Sequence, residues 1–581
     1  MTDKPNVDPI LVSVIANRLD AITKEIGMTM LRTSRSPIFS EARDFVTAIF
    51  DHKLRWVAQT GYIPVIAGTT SFSQKAIAQA FEGEIYEGDV FVLNDVYSGN
   101  NQPPDFAVTK PVFWKGELRF WAMAKGHHAD SGGGGVAGYN PEAKDIWEDC
   151  LRIPPAKLYD RGKYNKQIWN FILYNMRVPF LVEGDLHCQV GAATVGERAL
   201  LALLDKYGPE TLEAAIDEWL AASEAHMRRE LRQIPNGAYS AERKIDHDGV
   251  DKDKMVTIRL NVVVEDEDIT FDFTGSDPQV RGFINSPYPN TVSSSYLALF
   301  SCLDPDLRMN DGSTKPVKVV APEGSVVNCL PPVPTSADTV PTCETICEAG
   351  WLALSQAIPG QVQAPWARWC APASAGINPR LGRPFAEIHF MSKGGGGATE
   401  GFDGWDHVGT VVCLGGLRSP DPELHELVTP YRISKYEYWP DSAGPGRWRG
   451  GMGVKYRWAC LADGIPFANF GSGMRDETAP LGIMGGKGAP KSVGFIQRPD
   501  GTVVETDANT FYAMNSGDEW EIWNSGGGGF GNPLERPPER VLDDVLDELV
   551  SIEAARRDYG VAIDPQTMTI NWEETKKLRG L

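Results

Sequence analysis

The sequence predicts an α+β protein of several domains, with mixed and antiparallel sheets flanked by helices and a β-rich C-terminal half. Its 581 residues exceed what one hydrophobic core supports, at roughly 150 residues a domain. In the first half, helical periodicity alternates with short β-like runs. After residue 391, glycine-rich segments and short strands dominate. We predict an α/β domain at 1–236, a β-rich domain at 237–390, and a glycine-rich β domain with a terminal helix at 391–581.

A helix over residues 9–34 is the first predicted element, and Asp8 before Pro9 is a suitable N-cap. Four β-like runs follow, "FVTAIFD", "GDVFVLND", "AVTKPVFW" and "LRFWAMAKG". Apolar residues recur every three or four positions along the helix, which predicts one buried face. That face consists of Ile15, Leu19, Ile22, Ile26 and Met30.

Polar residues stand at the ends of three of these strands. The strands end at Asp51, at Asn94 and Asp95, and at Lys125. We therefore expect these side chains along one edge of a sheet, where they would form a site.

The later elements follow from periodicity and from proline and glycine. A helical stretch at about 192–232 ends at Pro235-Asn236-Gly237. "MVTIRLNVVV" and "ITFDFTG" alternate with period two and predict antiparallel strands. A helix over 286–300 is entered through Pro287, and a last helix spans about 537–556, opened by Pro537-Pro538.

Charge and cysteine usage limit the classes of partner. The 77 acidic and 56 basic residues give a net charge of −21, which disfavours nucleic acid and anionic membranes as partners. The nine scattered cysteines are typical of reduced thiols, and the N-terminus has no secretory pattern. We expect a cytoplasmic protein with no membrane span.

Glycine runs at 132–135, 394–397 and 526–529 suggest phosphate binding at first sight. None is followed by the Lys-Ser/Thr of a P-loop, so close backbone packing is the better interpretation. The stretch "GHHADSGGGG" at 126–135 adds two adjacent histidines. Neighbours in a strand point to opposite faces, so at most one of His127 and His128 would face a given pocket.

Carboxylates near His127 make a metal site plausible on chemical grounds. Asp44 and Asp105 lie at the ends of the two neighbouring β segments. Hard and borderline divalent ions accept such mixed oxygen and imidazole ligands. A lone histidine is more often a core or surface residue, so the spacing by itself leaves both interpretations open.

The chain resembles the hydantoinase B family over nearly its whole length. The resemblance rests on long segments in a fixed order, among them "EARDFVTAIFD", "GDVFVLNDVYSGNNQPPDF", "AKGHHADSGG", "FDFTGSDPQVRGFINSP", "YEYWPDSAGPGRWRGGMGV" and "GGGGFGNPLERPPERVLDDVLDELV". The family includes subunits of N-methylhydantoinase, 5-oxoprolinase, caprolactamase, acetone carboxylase and acetophenone carboxylase.

The resemblance implies a hydantoinase A-type partner subunit that binds ATP, with Mg or Mn, and phosphorylates the substrate's carbonyl oxygen. It leaves a small zinc-containing subunit open as a further partner. Hydrolases of the family open a lactam with a metal-bound water. Carboxylases make an enol phosphate and carboxyphosphate and join the enolate to CO2. Nucleotide chemistry on another polypeptide would explain the missing P-loop.

The resemblance also implies four metal ligands, at Asp44, Gln102, Asp105 and His127. The family pattern has histidine where this chain has Gln102. A glutamine carbonyl is a weak neutral donor, so losing one of two imidazoles should reduce the affinity for a borderline metal by orders of magnitude. We expect either an empty site or loosely held Mg²⁺ or Mn²⁺.

This departure bears on the predicted function. A hydrolase needs its metal to lower the pKa of water, whereas a carboxylase needs its enolate kept from water. The sequence therefore favours a ketone carboxylase subunit of the acetophenone carboxylase type, which uses an aryl ketone and bicarbonate and makes a β-keto acid. A cyclic-amide hydrolase and a catalytically silent structural subunit are the alternatives.

We assign provisional roles to the candidate residues. His127 or His128 would stabilise the enolate or accept a proton, with Asp105 and Lys125 beside them as catalytic groups. For the substrate-binding candidates a structural role is a comparable alternative. Those candidates are Arg43, Asn94, Asp95, Asn175 and Arg177.

Overall fold

The computed structural model describes residues 7–581, and its sheets and flanking helices confirm the α+β class. The chain forms two compact units. No helix within residues 7–581 is both long and apolar enough to span a membrane.

The predicted division into three domains stays a prediction. The first unit comprises Met1–Ala238, Asn261–Thr339 and Gly416–Arg418, and the second comprises Tyr239–Leu260, Val340–Gly415 and Ser419–Leu581.

The first unit opens with helix α1 (Pro9–Thr33), as predicted. The Asp8 side chain accepts a hydrogen bond from the Ile10 backbone N–H at 2.9 Å, so the predicted N-cap is confirmed. The predicted apolar face is buried.

A seven-stranded antiparallel sheet forms the centre of the first unit, in the order β2-β1-β5-β4-β3-β6-β7. The four predicted β runs all lie in it. Short helices α2 (Pro64–Ala67), α3 (Thr70–Ala80) and α4 (Ile146–Asp149) connect its strands. The strands are β1 (Phe45–Asp51), β2 (Trp56–Gly61), β3 (Val90–Leu93), β4 (Asp105–Trp114), β5 (Glu117–His127), β6 (Ala156–Asp160) and β7 (Lys163–Tyr164).

One predicted strand end does not reach the expected edge. β1 runs antiparallel to β5, so Asp51 pairs with Phe120, at the opposite end of the sheet from Lys125. Asp51 forms an ion pair with Arg55 there. The sequence did not specify the direction of the strands. In the structure the beginning of β1, next to Asp44, lies beside the end of β5.

The predicted helical stretch at 192–232 is two helices. After α5 (Lys166–Leu173), α6 (Pro179–Tyr207) begins earlier than expected and α7 (Pro209–Leu231) follows. Gly208 separates them with a φ of 76°, a backbone conformation that favours glycine. α6 packs on α1, β4 and β5 and so covers one face of the central sheet.

The strands β8 (Gly237–Ile245) and β9 (Val256–Glu265) each have residues in both units. The remaining elements of the first unit follow them in the sequence. β9 pairs antiparallel with β10 (Asp268–Asp272), as predicted, and β10 pairs parallel with β11 (Val317–Val320). The predicted helix at 286–300 is α8 (Tyr288–Phe300), capped by Pro287, and the short α9 (Asp311–Thr314) follows.

The second unit is β-rich, as the sequence predicted for the C-terminal half. Two antiparallel sheets have the orders β13-β12-β16-β19 and β14-β15-β20-β17-β18. Buried aromatic side chains of both sheets form its core. The elements are α10 (Cys343–Leu354), β12 (Cys370–Asn378), β13 (Arg383–Ile388), α11 (Pro422–Val428), β14 (Tyr431–Tyr438), β15 (Val454–Cys460), β16 (Ile465–Gly471), β17 (Val493–Gln497), β18 (Val503–Thr506), β19 (Thr510–Met514) and β20 (Glu519–Asn524).

The predicted last helix at 537–556 is also interrupted. It consists of α12 (Pro538–Leu546) and α13 (Ile552–Tyr559), and Glu548 between them has a positive φ of 59°. The sequence did not predict the elements that follow. These are β21 (Ile563–Asp564), β22 (Thr569–Ile570) and α14 (Trp572–Arg579).

The glycine runs of the second unit are packed backbone against backbone. A Cβ atom on Gly397 would lie 1.7 Å from the Ala364 carbonyl oxygen, and one on Gly527 would lie 2.0 Å from that of Gly396. No side chain fits at such distances, so these positions require glycine. The structure confirms close packing as the explanation for the runs at 394–397 and 526–529.

A buried ion-pair network in the second unit leads to a stability prediction. Glu348 accepts hydrogen bonds from Arg368 at 2.7 and 3.0 Å and from Arg243 at 2.8 Å, and Glu348 and Arg368 are fully buried. Glu348→Gln removes the negative charge that pairs with the guanidinium groups of Arg243 and Arg368. We expect the second unit to lose about 3–5 kcal/mol of unfolding free energy.

Thermal unfolding monitored by circular dichroism measures this loss. The matched control is Glu535→Gln, which breaks the exposed Glu535–Arg447 pair and should cost at most about 1 kcal/mol. Equal shifts in the two variants would contradict the prediction.

Candidate active site

Three of the predicted site residues meet at one edge of the central sheet. Asp105 begins β4 and His127 ends β5, and the two are direct partners in the strand register. Asp44 precedes β1, and its carbonyl oxygen accepts a hydrogen bond from the His127 backbone N–H at 3.0 Å. Antiparallel pairing therefore brings these residues together, although 83 positions separate Asp44 from His127 in the sequence.

Gln102 lies between Asp105 and His127. Its Nε2 is 2.9 Å from Asp105 Oδ1 and 3.1 Å from His127 Nδ1, and its Oε1 accepts a hydrogen bond from Thr339 Oγ1 at 2.7 Å. The ionised Asp105 carboxylate can only accept, so it orients the amide with its N–H group towards Asp105, while Thr339 donates to the amide oxygen. All these groups are buried, and Asn101 also donates to Asp105.

Burial and mutual charge set the protonation of this cluster. Burial raises the pKa of Asp44 to about 7, against the lowering charge of His127. For Asp105 the hydrogen bond and charge of His127 outweigh burial and lower the pKa. For His127 the hydrogen bond to Asp105 and the charges of Asp44 and Asp105 outweigh burial and raise the pKa. Asp105 and His127 thus form a buried ion pair, with 3.3 Å between Nδ1 and Oδ1.

Lys125 lies on the same face of β5, two residues before His127. Its Nζ donates to Thr69 Oγ1 at 2.7 Å and to Ser73 Oγ at 3.3 Å. Thr69 in turn is 3.2 Å from Asn101 Oδ1, so a chain of hydrogen bonds links Lys125 to Asp105. Burial lowers the pKa of Lys125 to about 7. The side chain is therefore a cation that loses its proton near neutral pH.

His128 lies on the opposite side of the sheet and does not join this cluster. Its Nε2 is 2.9 Å from Gln189 Oε1, and its ring stacks on Phe106 with centroids 4.4 Å apart. Burial lowers its pKa to about 4, so the ring is neutral. The strand alternation expected from the sequence separates the two histidines in this way.

The substrate-binding candidates have structural partners. Asn94 bonds to backbone groups of Pro103, Leu151 and Ile153, and Asp95 pairs with Arg152 at 2.9 Å. Arg43 lies over the Tyr62 ring at 5.9 Å, and the exposed Asn175 donates to the Phe171 carbonyl. The structure does not bring these four side chains into the Asp105–His127 cluster.

Arg177 holds the glycine loop that follows the two histidines. It donates to Asp130 and to the Gly133 carbonyl oxygen. Gly132 and Gly133 have positive φ, and a Cβ on Gly133 would lie 2.5 Å from the Asp149 backbone. The run at 132–135 is therefore a close-packed turn.

Four residues of the candidate site were not predicted from the sequence. Asn101 stands next to Gln102 in the sequence, so the motif that contains Gln102 could have suggested it. Thr69, Ser73 and Thr339 act through side-chain hydroxyl groups, and Thr339 is 237 positions from Gln102. No spacing rule connects residues so far apart.

The predicted ligands do not fit a metal ion as a set of four. The Gln102 amide presents an N–H group, which cannot ligate a cation. Within residues 7–581, the only His, Cys, Asp and Glu side chains that bring three ligand atoms within 4.8 Å of one another are His226, Glu230 and Asp304. His127 Nε2 is buried beside Gly138, and a hydrogen bond to the Ala137 backbone helps to raise the pKa of the ring.

Asp149, behind the glycine loop, gives the first unit a pH-dependent stability. It accepts hydrogen bonds from the Thr335 and Ser336 backbone and from the Ser336 hydroxyl, yet burial raises its pKa to about 7. The unfolded chain releases this proton near pH 4 and the folded chain near pH 7. Stability should therefore fall as pH rises from about 4 to about 7, by on the order of 4 kcal/mol.

Melting temperatures across this pH range test the expectation. Asp149→Asn keeps an acceptor oxygen and cannot ionise, so its profile should be flatter than that of the wild type. An unchanged slope would show that other groups cause the dependence.

Known proteins resemble this chain along almost its whole length. Residues 8–533 match the protein family described as hydantoinase B/oxoprolinase. Caprolactamase subunit beta of Pseudomonas jessenii is 37% identical over 566 residues, which cover 96% of this chain and 97% of that subunit.

Two solved structures share the fold. The crystal structure of the ATP-dependent caprolactamase from Pseudomonas jessenii has a TM-score of 0.92 at 35% identity, covering 99% of this chain and 100% of that one. Acetone carboxylase in its nucleotide-free structure has a TM-score of 0.91 at 20% identity, covering 99% of this chain and 82% of that one. At 20% identity the likeness concerns the fold.

Proposed function

The chain belongs to the hydantoinase B/oxoprolinase family, and on that premise we propose that it is a subunit of an ATP-dependent ketone carboxylase. The substrate is acetophenone or a related aryl ketone, and the product is a β-keto acid. A hydantoinase A-type partner binds ATP with Mg or Mn and activates the ketone and bicarbonate. This chain then joins the enolate to CO2.

The orientation of Gln102 carries the proposal. Its amide nitrogen lies within 3.1 Å of both Asp105 and His127, and its hydrogen bond to the Asp105 carboxylate sets that orientation. A lactam hydrolase of this family needs a cation at this place to activate water. The Gln102 N–H group serves the Asp105 anion in place of a cation. The burial of Asp105, His127 and Lys125 suits an enolate that must stay dry.

His127 and Lys125 have defined roles in this proposal. Held as an imidazolium by Asp105, His127 stabilises the enolate oxygen through its positive charge. The charge of Lys125 on the same face stabilises the same anion. At the partner, the ketone loses its α-proton and its oxygen takes the γ-phosphoryl group of ATP, which gives the enol phosphate. Transfer of that phosphoryl group to water breaks the O–P bond and releases phosphate and the enolate. Carboxyphosphate breaks down to CO2 and phosphate, the enolate carbon forms the new C–C bond to CO2, and the ketone carbonyl is restored.

A cyclic-amide hydrolase is the second candidate, because caprolactamase subunit beta is 37% identical to this chain. Asp44 supplies a general base for it. Burial raises the pKa of its carboxyl to about 7, so it can take a proton from water at neutral pH. Water would attack the ATP-activated amide carbon, and the ring C–N bond would break.

The partners and the compartment belong to the same proposal. A separate ATP-binding subunit is consistent with the absence of a P-loop from the sequence. A small zinc-containing subunit is a further partner of the proposed carboxylase. All nine cysteines are buried free thiols, which supports a reducing cytoplasm.

The deciding experiment purifies the chain together with the products of neighbouring genes. The complex receives ATP, labelled bicarbonate and acetophenone, and in a second arm ATP and a lactam. We expect label in a β-keto acid, and none when ATP is left out. Lactam opening without incorporation of label would replace the carboxylase by the hydrolase.

A further inference from the structure

Three metal-ligating side chains lie together in the first unit, apart from the candidate active site. His226 and Glu230 are four residues apart on α7 and therefore share one face of the helix. Asp304 lies in the turn that follows α8. His226 Nε2 is 3.1 Å from Asp304 Oδ2 and 4.0 Å from Glu230 Oε1.

The local backbone fixes the geometry of this group. The Asp306 N–H donates to Asp304 Oδ1 at 2.8 Å, which leaves Oδ2 directed towards His226. Met227 next to His226 is fully buried, so it anchors this turn of α7. Ligand positions held by rigid elements lower the cost of binding an ion.

The charges around the group favour a cation. Glu230 and Asp304 carry two negative charges, and Gln233 donates to Glu230 at 3.2 Å without adding charge. The hydrogen bond from the Asp306 backbone is the main cause that lowers the pKa of Asp304; His226 contributes next, and the charge of Arg229 comes last. Arg228 is engaged by Glu224 and Asp268.

We propose that His226, Glu230 and Asp304 bind one divalent transition-metal ion of the zinc class. A tetrahedral ion with bonds of about 2.1 Å sets its ligand atoms roughly 3.4 Å apart, between the two distances in this group. Water takes the fourth position, because the three side chains are partly exposed. The ion joins α7 to the turn after α8, so it stabilises the first unit and takes no part in the carbonyl chemistry.

Zinc titration of the full chain tests the proposal, after metal has been removed with a chelator. Isothermal titration calorimetry should show binding that His226→Ala weakens by at least the roughly 10–100-fold that loss of even an outer-shell partner costs. Asp304→Asn should weaken it in the same direction. The melting temperature should rise with zinc in the wild type and not in His226→Ala.

Two controls isolate the site. Glu218→Gln removes an exposed carboxylate from the same helix and should leave zinc affinity unchanged. Asp105→Asn should also leave this binding unchanged, since it alters only the candidate active site. A wild type that binds no zinc, or a His226→Ala chain that binds it as tightly as the wild type, would overturn the proposal.

Discussion

Gln102→His is expected to give the chain one more tightly bound divalent ion than the wild type carries. The new imidazole would complete a set of two carboxylates and two imidazoles with Asp44, Asp105 and His127. Zn²⁺ and Mn²⁺ accept such donors, whereas the wild-type amide presents an N–H group to the same place. We expect the affinity for zinc at this site to rise by orders of magnitude.

Elemental analysis after dialysis against zinc measures the gain. Comparing variants in a His226→Ala background keeps the second proposed site out of the count. Gln102→Asn is the matched control, because it keeps an amide and adds no metal ligand. If Gln102→His binds no additional ion, the orientation of Gln102 is not what distinguishes this chain from a metal-dependent hydrolase.

The added ion should also affect the two candidate reactions differently. A metal restored at this place should favour activation of water and disfavour a dry enolate. Under the proposed function, Gln102→His should lose carboxylation while lactam opening stays absent or appears weakly. Under the hydrolase alternative, lactam opening should increase.

Much of the site was predictable because it is local to strand ends. The short runs at β1, β4 and β5 carried Asp44, Asp105 and His127, and strand alternation predicted that at most one of His127 and His128 would face a given pocket. Strand direction was not available from these runs. Asp51 was therefore placed at the wrong edge, since the antiparallel pairing of β1 with β5 carries it to Phe120.

The remainder required three-dimensional information. The Gln102 amide oxygen is bound by Thr339, which comes from a distant segment of the first unit. Helix breaks at Gly208 and Glu548 depend on single residues with positive φ inside otherwise helical patterns. Asn94 and Asp95 have hydrogen-bond and ion-pair partners within the protein, and polarity by itself does not distinguish such a role from substrate binding.

Loss of the charge on Asp105 should have the largest effect on turnover. Asp105 is fully buried and contacts Asn101, Gln102 and His127. Asp105→Asn keeps the shape of the side chain, but it removes the charge that holds His127 as an imidazolium. We expect turnover of the reassembled complex to fall roughly 10²–10³-fold, as when a donor to a developing oxyanion is lost.

The readout must separate chemistry from folding and assembly. Asp160→Asn, an exposed carboxylate of the same unit, is the matched control and should keep wild-type turnover. Melting temperature and co-purification with the ATP-binding subunit show whether each variant folds and assembles. A fall in kcat in an intact complex places the chemistry on this chain. Near-wild-type turnover of both Asp105→Asn and His127→Ala would instead make this chain a structural subunit. Both carboxylation and lactam opening, as proposed here, require the buried Asp105–His127 pair.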